Sequence, residues 1–355
     1  MKEDNMGLDE LRDEIRKKDL EIIRLIFERT DLAKQIGMAK FELGLPIRNA
    51  EVEKKVIARY VEEGSKYQLS EGSMESIAKA AIQEAVDAEA RLIKPGKGKR
   101  IAIVGGAGKM GNWMVNTLRG YGNGVFVIDP AVENGYTMKD CAMADAVIIS
   151  VPIHATSGIL RELDSICGED TLIFDLSSLK TPVVDTLKDM AKRRKVCSIH
   201  PMFGPSAPSL YGRNIIVCDC GCRKAVDEAV SLFDDRGGNI RVMDIIDHDK
   251  YMSYVLGLTH AVNIALFTVF DRSGFTFEDL QTVASTTFNK GLDANRSVAS
   301  EDPMLYYEIQ HLNGNRLEMW KLFGEAVKDL EEASMSDDPE KFRKLMEAGK
   351  QYFDP

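Results

Sequence analysis

Residues 101–111, Ile-Ala-Ile-Val-Gly-Gly-Ala-Gly-Lys-Met-Gly, constrain this 355-residue chain more than any other stretch. An apolar run halted by glycines and followed by a helical pattern reads as a strand turning into a helix. Gly106, Gly108 and Gly111 form G-x-G-x-x-G in that setting. The first permits a tight turn, the second lets backbone approach a pyrophosphate, and the third lets helix and strand pack closely. The helix start at Lys109 and Met110 then offers unpaired amides and a positive dipole end to phosphates. Asp129 closes the next apolar run, 125–128. A carboxylate there accepts hydrogen bonds from ribose hydroxyls and repels a 2′-phosphate, which favours NAD over NADP. A flavin, another nucleotide-linked ligand, or a glycine turn without a ligand are the alternatives.

Around this motif the chain divides by texture. Further apolar runs stand at 146–151, 171–174, 196–199, 214–218 and 240–243, most of them separated by helical stretches. Strands alternating with helices imply βαβ units and a mostly parallel sheet. Upstream, Leu8, Leu11, Ile15, Ile22, Leu25, Leu32 and Ile36 recur at helical spacing, with charges between them. Gly44-Leu45-Pro46 stops that long helix, and two more follow, from about Ala50 and from about Ser73 to Ile93. Three helices with one long member bury little alone, so an intertwined homodimer is expected. Downstream of His248 the strand signal vanishes, and 254–270 is a nearly continuous apolar helix. The expected fold class is therefore multidomain α and α/β. A helical domain over 1–93 and a linker over 94–99 precede a Rossmann-type, mostly parallel domain over 100–246. A helical substrate and dimerisation domain over 247–355 completes the chain.

A net charge of −10 argues against broad nucleic-acid binding, though local arginines can still dominate a small anion pocket. No signal peptide or membrane span stands out, and the six cysteines are scattered, so a cytoplasmic protein is expected. Cys218-Asp-Cys220-Gly-Cys222 lacks the second ligand pair of a zinc site and is read as reduced thiols, with no metal.

Three clusters lie just past expected strands: Ser150-Val-Pro152-Ile-His154, Asp175-Leu-Ser-Ser178-Leu-Lys180 and His200-Pro-Met-Phe-Gly-Pro205. Open α/β sheets bind ligands at those strand ends. With the glycine fingerprint, they resemble the prephenate dehydrogenase family over 100–355. The resemblance implies Ser150 and Pro152 beside the cofactor and His200 as the catalytic histidine. Ser178 matches the serine that hydrogen-bonds both histidine and substrate hydroxyl. The substrate-binding arginine precedes an Asp-Pro in that family. Arg296 precedes Asp302-Pro303 here, one residue further away than the pattern, with Arg213 and Lys290 as fallbacks. His260 resembles a pocket histidine, whereas His248 is read as structural.

Residues 8–93 resemble the all-helical chorismate mutases through Leu11-Arg12-Asp-Glu-Ile15, Glu28-Arg29-Thr-Asp-Leu-Ala33, Lys40 and Gly44-Leu-Pro-Ile-Arg48. Arg29 and Lys40 stand about three turns apart, two cations along one apolar stripe. The resemblance implies that Arg29 binds a carboxylate and Arg12 reaches the neighbouring subunit's site. Lys40 would donate to the ether oxygen and a carboxylate, and Glu53 would accept from the ring hydroxyl. Glu89 would face the ether oxygen, where it can donate only when protonated. Two positions depart from the family: Val52 replaces an arginine and Ala85 a small hydroxyl residue, with Arg48 a possible substitute.

Together these readings imply a homodimeric enzyme of tyrosine biosynthesis that takes chorismate to prephenate, then oxidises prephenate with NAD. The rivals are an arogenate or hydroxy-acid dehydrogenase with a degenerate helical module, and a non-catalytic NAD-binding regulator.

Overall fold

The structure, a computed structural model, describes residues 7–43, 45, 49–90, 92, 98–133, 135–234 and 236–354. Gly44, Pro46, Arg48, Ile93 and residues 94–97 lie outside the described set, and with them the expected helix stop and most of the linker. The chain forms two compact units. One comprises Met1–Val151, Ile159–Leu176 and Asp189–Val242; the other comprises Pro152–Gly158, Ser177–Lys188 and Met243–Pro355.

The first unit opens with three helices, α1 (Leu8–Glu42), α2 (Ala50–Ser65) and α3 (Glu71–Ala90). Asn49 starts α2 by accepting from the Glu51 and Val52 amides. Glycines set the helix contacts. A Cβ on Gly37 would come within 2.9 Å of Glu89 on α3, and one on Gly64 within 2.4 Å of Met74. The buried apolar residues of these helices are small: Ala33, Ala78, Ala85, Val86 and Ala88. The large apolar side chains of α1, from Leu8 through Ile22 and Phe27 to Ile36, are exposed along a helix about 50 Å long.

A seven-stranded sheet follows, ordered β2-β1-β3-β4-β5-β6-β7. Its strands are β1 (Arg100–Val104), β2 (Gly124–Ile128), β3 (Ala146–Ile149), β4 (Leu172–Asp175), β5 (Val196–Pro201), β6 (Asn214–Asp219) and β7 (Asn239–Asp244). The pairs from β2 through β5 are parallel, and β6 runs antiparallel to β5. Strands β1, β3, β4 and β5 are buried along nearly their whole length, as expected of parallel strands covered on both faces. Ile101, Ile103, Ile148, Phe174 and Ile199 form the core with Trp113, Met114 and Leu118 of α4 (Lys109–Gly120) and Phe233 of α7 (Arg223–Phe233). Helices α5 (Ile153–Ile166) and α6 (Val184–Met190) complete the crossovers.

The helical group and the sheet share one unit, and hydrogen bonds join them. Arg236 donates to the Leu92 carbonyl at 2.9 Å and stacks over Tyr121, while Ser209 donates to Asp87 of α3.

The second unit is helical: α8 (Ile245–Met252), α9 (Thr259–Arg272), α10 (Phe277–Thr282), α11 (Thr286–Ala299), α12 (Pro303–Leu312), α13 (Arg316–Ser334) and α14 (Glu340–Phe353). Asp302 caps α12 through the Met304 amide, and Pro303 fills its first turn, which explains the Asp-Pro pair locally. The apolar run at 254–270 is not a uniform helix. Ser253–Leu258 winds as a π-helical turn between α8 and α9, and Gln310 donates to the Gly257 carbonyl there at 2.7 Å.

Candidate active sites

The glycine-rich turn holds the first site. Its left-handed residue is Gly105, at φ +79°, so the tight turn falls one position before the fingerprint glycine assigned to it. A Cβ on Gly105 would meet the Ser150 carbonyl oxygen at 2.2 Å. Gly106 instead provides clearance from Val127 of β2, where a Cβ would lie 2.8 Å away. Gly111 passes against Gly105, where a Cβ would lie 2.2 Å from the carbonyl oxygen. Gly108 is different. It precedes α4 without a side-chain cap, and a Cβ there would meet nothing closer than 3.4 Å. Open backbone at an uncapped helix start is what a pyrophosphate requires. Asp129, at the end of β2, accepts from the Ala107 amide at 3.0 Å and the Ala131 amide at 2.9 Å. A carboxylate offers about four acceptor positions, so capacity remains for ribose hydroxyls. These residues fit NAD.

His200 is buried near the end of β5, paired in register with Ile216 of β6. Two residues earlier, Ser198 donates to Asp175 Oδ2 at 2.6 Å, tying the ends of β5 and β4 together. The segment after His200 is fastened to α4. Trp113 Nε1 donates to the Ala207 carbonyl at 2.6 Å, and its ring meets Phe203 edge-on at 5.0 Å.

The second unit carries Ser178 and Arg296. Ser178 is half-buried in a segment anchored by Asp249, which the sequence reading passed over. The Asp249 carboxylate accepts from the Lys180 amide at 2.8 Å, the Thr181 amide at 2.7 Å and the Thr181 hydroxyl at 2.6 Å. His248 Nδ1 lies 2.7 Å from Asp249 Oδ1, the oxygen that also accepts from the Lys180 amide, which gives His248 a structural task. Burial pushes the Asp249 pKa up, but hydrogen bonds from His248, Thr181 and Lys180 outweigh it and hold the group below the usual carboxylate range. Arg296 is exposed on α11 and stacks over the Phe277 ring at 4.5 Å. Lys290 on the same helix and Arg213 before β6 are exposed as well. Pro152 is exposed at the start of α5, and His154 pairs with Glu308 of α12. His260 follows the π turn, buried and stacked on Tyr306 at 4.1 Å between centroids. Burial alone pushes its pKa down to about 4, so its imidazole is neutral at physiological pH.

The helical group forms an open cavity of about 460 Å³ lined by Arg29, Lys40, Glu53 and Glu89, with Val52 and Ala85 in its wall. Four of the five mutase residues named from sequence thus share one cavity. Arg12 stands apart, exposed on α1 beside Asp9. Arg29 donates to the Ala81 carbonyl at 2.5 Å, and Lys40 Nζ lies 2.9 Å from Glu89 Oε2. Glu53 Oε1 accepts from the Tyr211 hydroxyl at 2.7 Å. Tyr211 comes from the segment between β5 and β6, and no helical periodicity marked it. Among the described residues, no three His, Cys, Asp or Glu side chains gather to hold a metal ion.

Three family models match the chain in order. Chorismate mutase type II covers residues 11–90, the nucleotide-binding domain of prephenate dehydrogenase 127–242, and its dimerization domain 245–348. A T-protein of Enterobacter agglomerans is 26% identical over 332 residues, spanning 91% of this chain and 87% of its own. A T-protein of Haemophilus influenzae is 27% identical, over 85% of this chain and 81% of its own. A crystal structure of Aquifex aeolicus prephenate dehydrogenase with hydroxyphenyl propionate and NAD+ aligns with a TM-score of 0.60 at 23% identity. It covers 74% of this chain and 99% of its own, a likeness of fold. The chain belongs to the class in which a type II chorismate mutase is fused to a prephenate dehydrogenase. It is an isomerase and an oxidoreductase of aromatic amino-acid biosynthesis, and its oxidoreductase part carries a nucleotide-binding domain.

Proposed function

We propose that this chain rearranges chorismate to prephenate in the cavity of α1–α3, then oxidatively decarboxylates prephenate to 4-hydroxyphenylpyruvate and CO₂. The gathering of Arg29, Lys40, Glu53 and Glu89 around one apolar-walled cavity carries the mutase reading. The rearrangement is pericyclic and needs no nucleophile. The protein has only to hold a compact diaxial conformer and stabilise charge on the breaking ether oxygen. Arg29 and Lys40 suit the substrate carboxylates and Lys40 the ether oxygen. Glu53 accepts from the ring hydroxyl, and Glu89 faces the ether oxygen. Arg12 completes the site of a second copy.

In the dehydrogenase, Gly106, Gly108, Lys109, Met110, Gly111, Asp129, Ser150 and Pro152 would hold NAD, which would supply the hydride acceptor. His200 accepts the hydrogen bond of the substrate hydroxyl as that carbon becomes a carbonyl, a task suited to a neutral imidazole. Ser178 orients the hydroxyl, and Arg296 pairs with a substrate carboxylate. Loss of CO₂ then makes the ring aromatic.

We place the domain limits at 1–93, 100–246 and 247–355 with a linker at 94–99, and the protein in the cytoplasm as a homodimer. The exposed leucines and isoleucines of α1 support a second copy, since burying each stabilises by about 1.5–3 kcal/mol. The apolar stretch Ile245–Arg272, only 22% of whose most apolar window is buried, lies wholly within the match to the dimerization domain, which supports the same reading.

Supplying purified protein with NAD and either chorismate or prephenate, and following NADH by its near-ultraviolet absorbance, tests both activities. NADH from both substrates is expected. NADH from prephenate alone would reduce α1–α3 to a dimerisation module and turn attention to Val52. Turnover of arogenate in preference to prephenate would reassign the dehydrogenase substrate.

A further inference from the structure

Glu53 lies in the first turns of α2, yet the hydroxyl 2.7 Å from its carboxylate comes from Tyr211, more than 150 positions along the chain. Tyr211 is buried and held from several sides. Its amide donates to Ser209 Oγ at 3.2 Å, and that hydroxyl in turn donates to Asp87 on α3. Its ring covers Gly237, where φ is +74° and a Cβ would come within 2.8 Å of the ring. Gly212, also left-handed at φ +64°, donates from its amide to the Gly237 carbonyl at 2.9 Å. Ser209 and Tyr211 therefore reach α3 and α2 from the nucleotide-binding part of the chain.

A carboxylate lining an apolar cavity has rotamer freedom that a substrate contact must overcome. A phenolic hydroxyl donating to Oε1 removes much of that freedom, and a carboxylate offers about four acceptor positions in all. We propose that Tyr211 is a positioning residue of the mutase site, supplied by the dehydrogenase part of the chain to hold the Glu53 carboxylate for the hydroxyl of chorismate. This rests on the mutase reading of the cavity. The same segment follows directly on the end of β5 that carries His200, so adjoining stretches of one chain region serve both reactions.

The test uses the full chain and four proteins: wild type, Tyr211→Phe, Glu53→Gln and the double variant. Tyr211→Phe keeps the ring over Gly237 and removes only the hydroxyl. Its kcat/KM for chorismate is expected to fall about tenfold, while prephenate oxidation and the unfolding midpoint hold near wild type. In the Glu53→Gln background the same substitution should cost little, because the group it positions is gone. Equal chorismate turnover by wild type and Tyr211→Phe would overturn the proposal alone. An undiminished tenfold loss in the Glu53→Gln background, or a matching loss of prephenate oxidation, would overturn it in favour of a structural role. A wild type that leaves chorismate untouched would overturn the mutase reading and this inference together.

Discussion

Lys40 Nζ and Glu89 Oε2 stand 2.9 Å apart across α1 and α3, so the acid meant to face the breaking bond is paired with a cation. The glutamate is almost fully buried and the lysine three-quarters so. Chorismate brings two carboxylates that compete for Lys40. Only a protonated acid at position 89 can then donate to the ether oxygen. Glu89→Gln, which keeps a donor at that position, is therefore expected to retain chorismate turnover, and Glu89→Ala to lose most of it. Wild-type chorismate kinetics in Glu89→Ala would remove that role from Glu89.

If Asp129 receives the adenosine ribose, its charge discriminates between the two nicotinamide cofactors. Asp129→Asn should raise KM for NAD several-fold, because a charged acceptor is exchanged for a neutral one. The same change should improve use of NADP by removing repulsion of the 2′-phosphate. Both effects appear in initial rates with saturating prephenate, and an unchanged NAD to NADP ratio would separate Asp129 from the ribose.

The Asp249 carboxylate gathers the amides of Lys180 and Thr181, the Thr181 hydroxyl and His248. Asp249→Asn is expected to cost about 2–3 kcal/mol, the scale of hydrogen bonds to a buried charge. Its folded pKa is held down, so its contribution is present above the unfolded carboxylate value of about 4 and is lost as pH falls below it. Denaturant unfolding at neutral and acid pH measures both. Prephenate oxidation should fall with stability, because Ser178 precedes the anchored amides, and chorismate turnover should not.

The mostly parallel sheet was legible because periodicity and motif agreed there, and the mutase residues because they match a family pattern. Runs such as 101–104 and 146–149 are apolar throughout, and only a strand buried on both faces calls for that. Arg29 and Lys40 lie on one helix, so spacing alone placed them together. What stayed hidden depends on contacts between distant segments. Asp249 sits in an ordinary acidic stretch, and its task exists only once Lys180 is folded beside it. Tyr211 looks like a loop aromatic until α2 arrives. The shift of the left-handed residue to Gly105 was invisible because two adjacent glycines satisfy the motif equally well. The π turn before His260 has no periodicity to announce it.

His260 offers a clear pH signature. An unfolded histidine titrates near 6.5, whereas burial pushes His260 down to about 4. Between those values the unfolded chain holds a proton that the folded chain refuses. The stabilisation is thus complete above about pH 6.5 and is lost as pH falls toward 4. His260→Phe keeps the stack on Tyr306 and removes the titration. Its unfolding midpoint should drop less than that of wild type between pH 7 and pH 5. An identical drop would mean that His260 charges freely in the folded protein.

Arg12 tests whether the mutase site is shared between copies. It lies exposed beside Asp9, outside the cavity that holds Arg29. If it completes the partner's site, Arg12→Ala and Arg29→Ala should each abolish most chorismate turnover. Their heterodimer nonetheless contains one site with both arginines intact, because each subunit lends what the other lacks. Random mixing of the two variants through an unfolding and refolding cycle makes half the dimers mixed. Turnover should then recover to about a quarter of wild type, set by one intact site in each mixed dimer. Recovery absent from a mixture that refolds with full prephenate oxidation would confine the site to one chain.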